Sequence, residues 1–209
     1  MPVYIVRQGD HLAGIAHRLG TTPDAIWGLP ANADLRDRRG DGAVLHPGDL
    51  LHVPPPPEPR TASLRAGDTH AFRASIPRTR VSLRLVSGGQ PISGEPFRAD
   101  ADGIRTTGST SGEGRVELEV RVTTRRVKLH LARRHETLVL DVGGLDPASE
   151  ISGAQMRLSH LGHYRGPLDG VLSDAVGDAL RAFQRASRLP ESGGLDEATL
   201  TALRDAYGC

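Results

Sequence analysis

A run of prolines near residue 55 constrains the fold of this chain more than any other feature of its sequence. Residues 54–59 read Pro-Pro-Pro-Pro-Glu-Pro. Because proline lacks a backbone N–H and fixes φ, such a run forms neither a helix nor a central strand, and it favours extended polyproline II. The run therefore acts as a semi-rigid spacer, and it ends a first domain at about residue 54.

Length and composition favour three small domains. The 209 residues suffice for one to three domains, since domains range from about 50 to 250 residues. An aromatic content of 3% argues against one large aromatic core, so each domain must build its core from Leu, Val, Ile and Ala. We predict a multidomain α+β protein with domains at 1–54, 63–146 and 147–209, and a Pro-rich linker at 55–62.

The first domain has the pattern of a strand, two helices and a returning strand. β-Branched and aromatic residues favour a strand over residues 3–6, Gly9 permits a turn, and Asp10 is a good N-cap for the helix that follows. Residues 22–24, Thr-Pro-Asp, are typical of a second helix start. A Pro-Gly-Asp turn at residues 47–49 then leads into the last strand.

This order of elements resembles a LysM module, a small carbohydrate-binding fold of the βααβ type. The resemblance implies that N-acetylglucosamine-type sugars lie in a shallow groove between the loop that enters the first helix and the loop that leaves the second. Residues 33–42 lengthen the second loop with charged residues, so the groove is either extended or blocked. The predicted glycan-binding residues are Gly9, Asp10, His11, Leu12, Leu29, Pro30, Ala31 and Asn32. The alternative is that the first two of them only build the turn and the cap.

The middle of the chain alternates polar and apolar residues with the period of half-buried antiparallel strands. Gly-rich turns separate the alternating stretches, a spacing typical of an all-β sandwich. The pattern resembles transthyretin-like or immunoglobulin-like spacer domains, a likeness that carries no implication about a ligand. The predicted strands cover residues 71–75, 80–86, 115–122, 125–131 and 137–142.

Three helices are predicted for the last domain. Apolar residues recur at helical spacing from Ile151 to Leu161, Ser173 is suited to cap a second helix, and Asp196 a third. Residues 151–208 resemble the peptidoglycan-binding domain found at the ends of many wall hydrolases. The matching positions include Gln155, Leu158, Leu168-Asp169-Gly170, Ala179 to Gln184, Leu195-Asp196 and Thr199.

That second resemblance implies a C-terminal three-helix bundle with a wall-binding surface. Tyr164, Leu168 and Asp169 are the candidates to face a wall peptide or glycan. A simple packing role for Tyr164 is the alternative. Ser173 and Val176 depart from the family pattern, which bears on the loop before the second helix and leaves the fold unaffected.

Catalytic and metal-binding patterns do not emerge from the sequence. Glu117 and Glu119 share one face of a strand, whereas glycosidase carboxylates flank a sugar from two directions. His160 and His163 have no third ligand nearby in sequence, and Cys209 has no adjacent base to activate it. We therefore predict no enzyme activity, no cofactor and no bound metal.

Charge and the N-terminal sequence bear on partners and localisation. Twenty-six Lys and Arg residues against 25 Asp and Glu give a net charge of +1, which does not favour nucleic acid or a membrane as partner. The first residues lack the basic and apolar regions of a Sec signal. We expect synthesis in the cytoplasm, and action at the periplasm or cell wall if a non-Sec route exports the protein.

Together these features predict a non-catalytic protein that binds peptidoglycan through two terminal modules. Two weak sites on one chain act by avidity, because the second binding event becomes intramolecular. The alternative is a structural or accessory component of a phage-tail-like or type VI secretion apparatus. In that hypothesis the LysM-like module docks a protein of the machine, and parts of such machines are loaded without Sec signals.

Overall fold

The computed structural model describes residues 1–40, 42, 44–58, 61, 63–72 and 75–208. The fold combines helices with antiparallel sheets and ends in a helical segment, which confirms the predicted α+β class. Within these described residues, no helix is both long and apolar enough to cross a bilayer. Three separate hydrophobic cores form, one in each of the three parts of the chain described next.

The N-terminal segment (residues 1–53) pairs its first and last strands around three short helices. Strands β1 and β2 are antiparallel, with Val3 opposite His52. Ile15, Ile26 and Leu51 are fully buried at the centre of this core. The elements are β1 (Val3–Ile5), α1 (Leu12–Arg18), α2 (Pro23–Trp27), a 3₁₀ turn (Pro30–Asn32), α3 (Ala33–Arg39) and β2 (Leu50–His52).

The N-cap of α1 differs from the prediction. His11 occupies the cap position, and its Nδ1 accepts a hydrogen bond from the backbone N–H of Gly14 at 3.2 Å. Asp10 turns away from the helix, because its carboxylate accepts the Tyr4 hydroxyl at 2.6 Å and the backbone N–H of Arg7 at 3.0 Å. The predicted cap was wrong because a stronger set of donors lies on the other side of that carboxylate.

The charged stretch at residues 33–42 also differs from its prediction as a loop. Residues Ala33–Arg39 form helix α3, which Leu35 anchors in the core with 3% exposure. Asp41 lies outside the described residues. In the predicted linker, residues 54–58 form neither helix nor strand. Pro59 is also outside the described part of the chain.

The β segment (residues 78–142) contains a four-stranded antiparallel sheet in the order β10-β9-β6-β7 and a two-stranded sheet, β3-β8. Residues from both sheets share one core, and along β8 the buried Val116, Leu118 and Val120 alternate with exposed glutamates. The strands are β3 (Arg78–Arg84), β4 (Val86–Ser87), β5 (Gln90–Pro91), β6 (Pro96–Ala101), β7 (Ile104–Ser109), β8 (Arg115–Arg121), β9 (Arg126–Leu131) and β10 (Glu136–Asp141).

Four of the five predicted strands correspond to β3, β8, β9 and β10. The predicted strand at 71–75 has no counterpart at residues 71, 72 and 75, and Arg73 and Ala74 lie outside the described residues. The hairpin of β6 and β7 went unpredicted. Its inward positions include the small Ala99 and Ala101, which give a weak apolar alternation.

The C-terminal segment (residues 147–208) is the predicted bundle of three helices, α4 (Ile151–His160), α5 (Asp174–Ala186) and α6 (Glu197–Tyr207). Leu158, Leu180 and Leu203, one from each helix, are fully buried where the helices meet. Asp196 caps α6 by accepting a hydrogen bond from the backbone N–H of Thr199 at 2.8 Å.

Candidate functional site

The loop between α4 and α5 exposes a group of apolar side chains. Leu168, Val171 and Leu172 are 48%, 57% and 58% exposed, and the carboxylate of Asp169 lies among them in sequence. Single exposed apolar residues are common on protein surfaces, but clusters of them mark ligand or partner contacts. Residues 167–172, hereafter the 167–172 loop, are therefore the leading candidate for a binding surface.

Gln155 on α4 holds this loop in place. Its fully buried amide donates to Asp169 Oδ1 at 2.9 Å and to the Val171 carbonyl at 3.1 Å, and it accepts the N–H of Gly170 at 2.9 Å. Asp169 Oδ1 also accepts the N–H of Val171 at 3.0 Å. A buried side chain therefore fixes the main chain of an exposed loop, so little conformational entropy remains to be lost when a ligand binds.

Asp169 contributes a negative charge to this surface. The hydrogen bond from Gln155, and next the one from the Val171 backbone, lower the pKa of the carboxyl below its ordinary value. Both bonds use Oδ1, and Oδ2 makes no hydrogen bond to another described residue. An ionised carboxylate oxygen that is flanked by apolar side chains can accept an N–H or O–H from a ligand.

Gln184 on α5 repeats this arrangement one helix later. Its fully buried amide donates to Ser192 Oγ, the Gly194 carbonyl and Thr199 Oγ1, and accepts the N–H of Gly193. The loop that it holds carries no large exposed apolar side chain. The shared signal, a helical glutamine followed by Leu-Asp before the next helix, is visible in the sequence, but the structural role of the two glutamines had not been predicted from it.

Tyr164, the third predicted wall-facing residue, lies in the core of the C-terminal segment. It is 5% exposed, and its hydroxyl donates to the carbonyl of Pro167 at 3.0 Å. The ring thus supports the beginning of the 167–172 loop from beneath. Leu168 and Asp169 are the two candidates that reach the surface.

In the N-terminal segment, several of the predicted glycan-binding side chains are engaged in the fold. Asp10 and Leu12 are buried, and Asn32 is 1% exposed. The amide of Asn32 donates to the carbonyls of Ile26 and His52 and accepts the N–H of His52, so it ties the 3₁₀ turn to β2. On the outside of the same turn, Pro30 and Ala31 are exposed and Leu29 is half-buried.

Asp10 is the centre of a charged network at the loop that enters α1. Burial disfavours its ionised form, but hydrogen bonds from Tyr4 and Arg18 outweigh that cost, and the pKa of Asp10 is lowered. The Arg18 guanidinium is 2.7 Å from Asp10 Oδ1, and Arg125 of the β segment approaches the same oxygen at 3.7 Å. This network links the entry loop to the neighbouring segment.

His11 makes a direct contact across the same boundary. Its Nε2 is 3.0 Å from the carbonyl of Val122, and because Nδ1 accepts the N–H of Gly14, Nε2 is the nitrogen that carries the proton and donates. Burial lowers the pKa of His11 and keeps the ring neutral. The carbonyl of Gly9 lies so close to Gly143 that a Cβ there would be 2.8 Å from it. The entry loop of the predicted sugar groove therefore packs against the β segment.

A second link joins the N-terminal and C-terminal segments. Arg39 at the end of α3 pairs with Asp49 at 2.9 Å and with Glu150, the residue before α4, at 2.8 Å. Its side chain is only 8% exposed. Burial disfavours the charged guanidinium, yet the hydrogen bonds that it donates to the carboxylates of Asp49 and Glu150 raise the pKa of Arg39. The two segments that carry the predicted binding sites are thus joined directly, and not only through the linker.

The other described titratable residues considered for catalysis or metal binding are either exposed on a strand or packed against aromatic rings. Glu117 and Glu119 are exposed on β8. His160 stacks on the ring of Tyr207, and His163 meets Phe183 edge to face. Among the residues that the structure describes, no group of three or more His, Cys, Asp or Glu side chains could hold a metal ion, and Cys209 is not among those residues.

One family model and two kinds of relative match parts of this chain. Residues 147–203 match a family model described as "Putative peptidoglycan binding domain". The chain is similar to "Putative OxPP cycle protein OpcA" of Nostoc punctiforme, with 43% identity over 53 residues, which cover 25% of this chain and 11% of that protein. It is also similar to "Localization factor PodJL" of Caulobacter vibrioides, with 33% identity over 98 residues, which cover 46% of this chain and 10% of that protein.

These relatives share only a part of their length with this chain, which spans about a tenth of each. No solved structure matches. The family match supports a peptidoglycan-binding domain at residues 147–203, a domain that binds and is not catalytic on its own, and it suggests a cell-wall or periplasmic place of action.

Proposed function

We propose that this protein is a non-catalytic peptidoglycan-binding protein, and that the 167–172 loop is its main contact with the wall. One observation carries the proposal: Leu168, Val171 and Leu172 are exposed around an ionised Asp169, on a loop that the buried Gln155 holds in one conformation. Peptidoglycan offers methyl groups, amide N–H groups and hydroxyls. Apolar contacts and one carboxylate acceptor suit that mixture.

The N-terminal segment is proposed as a second, weaker wall contact through the exposed face of its 3₁₀ turn. Pro30 and Ala31 are exposed there, and the direct link through Arg39 and Glu150 fixes the distance to the C-terminal segment. A rigid separation favours avidity when it matches the spacing of sites on the wall and abolishes it when it does not.

A second candidate role for the N-terminal segment is protein docking. The observation that favours it is the packing of the entry loop on the β segment, where His11 donates to the Val122 carbonyl at 3.0 Å. In this alternative, residues 9–12 serve contacts between protein surfaces and no sugar lies beside them. The pair Pro30→Asp and Ala31→Asp separates the two roles, since it weakens wall binding only in the first.

Co-sedimentation with purified sacculi tests the proposed function. Half-exposed leucines lose about 1–2 kcal/mol of apolar contact when they are replaced by serine, so we expect Leu168→Ser with Leu172→Ser to weaken binding at least tenfold. Val86→Ser, which alters a 39% exposed apolar residue of the β segment, is the matched control. Wild-type chain that stays in the supernatant, or a double variant that sediments like the wild type, contradicts the proposal.

A further inference from the structure

The outer face of the four-stranded sheet carries a basic depression that the proposed function does not use. The alternation that buries Phe97, Ala99, Val127 and Leu129 points the intervening side chains of β6 and β9 outward. With residues of β7 and the β6–β7 turn they line a concavity of about 370 Å³. Its charged and titratable lining residues include Arg98, Asp100, Arg105, Arg126, Lys128 and His130.

Cations outnumber carboxylates in this depression. Four fixed cations face two carboxylates, Asp100 and Asp102. Asp100 pairs with Arg105 at 3.6 Å, and Arg126 pairs at 3.2 Å with Asp141 outside the lining. Asp102 accepts the hydroxyl of Thr124 at 2.6 Å.

Arg98 and Lys128 form no ion pair with any described residue. The strand register brings Arg98 and Lys128 close together on the same face of the sheet. Arg98 lies opposite His130, and Lys128 lies opposite Asp100, so the two cations are diagonal neighbours on β6 and β9. Diagonal neighbours in an antiparallel pair are about 7–8 Å apart, and like charges at that spacing repel each other. Asp100 lies opposite Lys128 but pairs with Arg105, so an added anion relieves the repulsion that remains between the two cations. The planar guanidinium of Arg98 suits a carboxylate, because two parallel N–H groups match its two oxygens.

We propose that this depression binds carboxylates of an extended chain, and that the peptide stems of peptidoglycan supply them. The assignment to peptide stems rests on the proposed function, whereas the anion site itself rests only on the residues of the sheet. A volume of about 370 Å³ accommodates a short length of chain, not only a small ion. Binding here is electrostatic and exposed, so it weakens as salt increases.

Titration of the full chain with poly-L-glutamate, at low and at raised salt, tests the carboxylate site. We expect saturable binding that weakens with salt, and a loss of at least tenfold in affinity for Arg98→Glu with Lys128→Glu. Arg78→Glu with Arg80→Glu on β3 makes the same change in net charge on the other sheet, and it is expected to cost less than threefold. No binding by the wild type, an equal loss in both double variants, or tighter binding of polyphosphate overturns the proposal.

Sacculi then identify the source of the carboxylates. If Arg98→Glu with Lys128→Glu lowers sacculus binding while Arg78→Glu with Arg80→Glu does not, the wall peptides are the ligand. Undiminished sacculus binding by the first pair refutes the wall as the source. If the wild-type chain binds poly-L-glutamate but does not bind sacculi, the proposed function is refuted and the carboxylate site is retained. The ligand of that site would then be an acidic protein segment.

Discussion

Replacing Gln155 tests how the 167–172 loop is held. Gln155→Ala removes three hydrogen bonds between a fully buried amide and residues 169–171. Each such bond contributes about 0.5–1.5 kcal/mol net, and the freed loop groups regain water. We expect the loop conformation to lose about 2–3 kcal/mol, which corresponds to an increase in local opening of roughly 30- to 150-fold, since 1.4 kcal/mol is a factor of about ten.

Hydrogen exchange of the full chain measures this opening at the amides of Gly170 and Val171, whose N–H groups are bonded to Gln155 and Asp169. Gln184→Ala is the matched control, because Gln184 is equally buried and holds the other loop. We expect it to accelerate exchange at Gly193 and to leave residues 170–171 close to the wild-type rate. Wall binding should fall with Gln155→Ala more than with Gln184→Ala.

Two results would refute this reasoning. Unchanged exchange at Gly170 and Val171 in Gln155→Ala would mean that the loop keeps its conformation without the buried amide. Equal acceleration at both loops in both variants would mean that the glutamines stabilise the bundle as a whole and do not hold individual loops.

Further predictions concern the contacts between segments. Arg39→Ala leaves the buried Asp49 without its cation, so we expect the unfolding free energy of the N-terminal segment to fall by about 3 kcal/mol. Urea titration with Trp27 fluorescence measures this change, because Trp27 is the single tryptophan of the chain. Because the pKa of His11 is lowered in the fold, its contribution is complete above the ordinary value of 6.5 and is lost as the pH falls through the lower folded value. The same urea titration, repeated from pH 8 to pH 4, should show a loss of unfolding free energy that is absent in His11→Ala, and an equal loss in that variant would contradict the assignment. Gly143→Ala places a Cβ 2.8 Å from the Gly9 carbonyl at a φ of +78°, so faster hydrogen exchange at residues 9–12 is expected, and unchanged exchange there would argue against the contact.

Local patterns predicted the elements whose signals are strong. The helices of the C-terminal segment were predictable because Leu158, Leu180 and Leu203 belong to stripes at helical spacing. Strand β8 was predictable because valine and leucine alternate with charged residues. The β6–β7 hairpin escaped prediction, since alanines at its inward positions resemble loop residues in a pattern of hydrophobicity.

Contacts between distant residues lay beyond such patterns. His11 and Val122 are 111 residues apart, and no local signal indicates that a histidine beside a turn will cap a helix and also donate to another segment. The preference of Asp10 for Tyr4 and Arg18 likewise depends on tertiary packing. In the candidate site, Leu168 and Asp169 are residues that the family resemblance proposes, whereas the part played by Gln155 required the geometry of the loop.

A hydrogen-exchange footprint of the full chain with soluble peptidoglycan fragments tests the central claim most directly. The proposed wall contact predicts increased protection at residues 168–172, with little change at the loop that Gln184 holds. Saturable binding of the fragments with no protection at residues 168–172, or with protection confined to other parts of the chain, would contradict the assignment of this loop as the wall-binding surface.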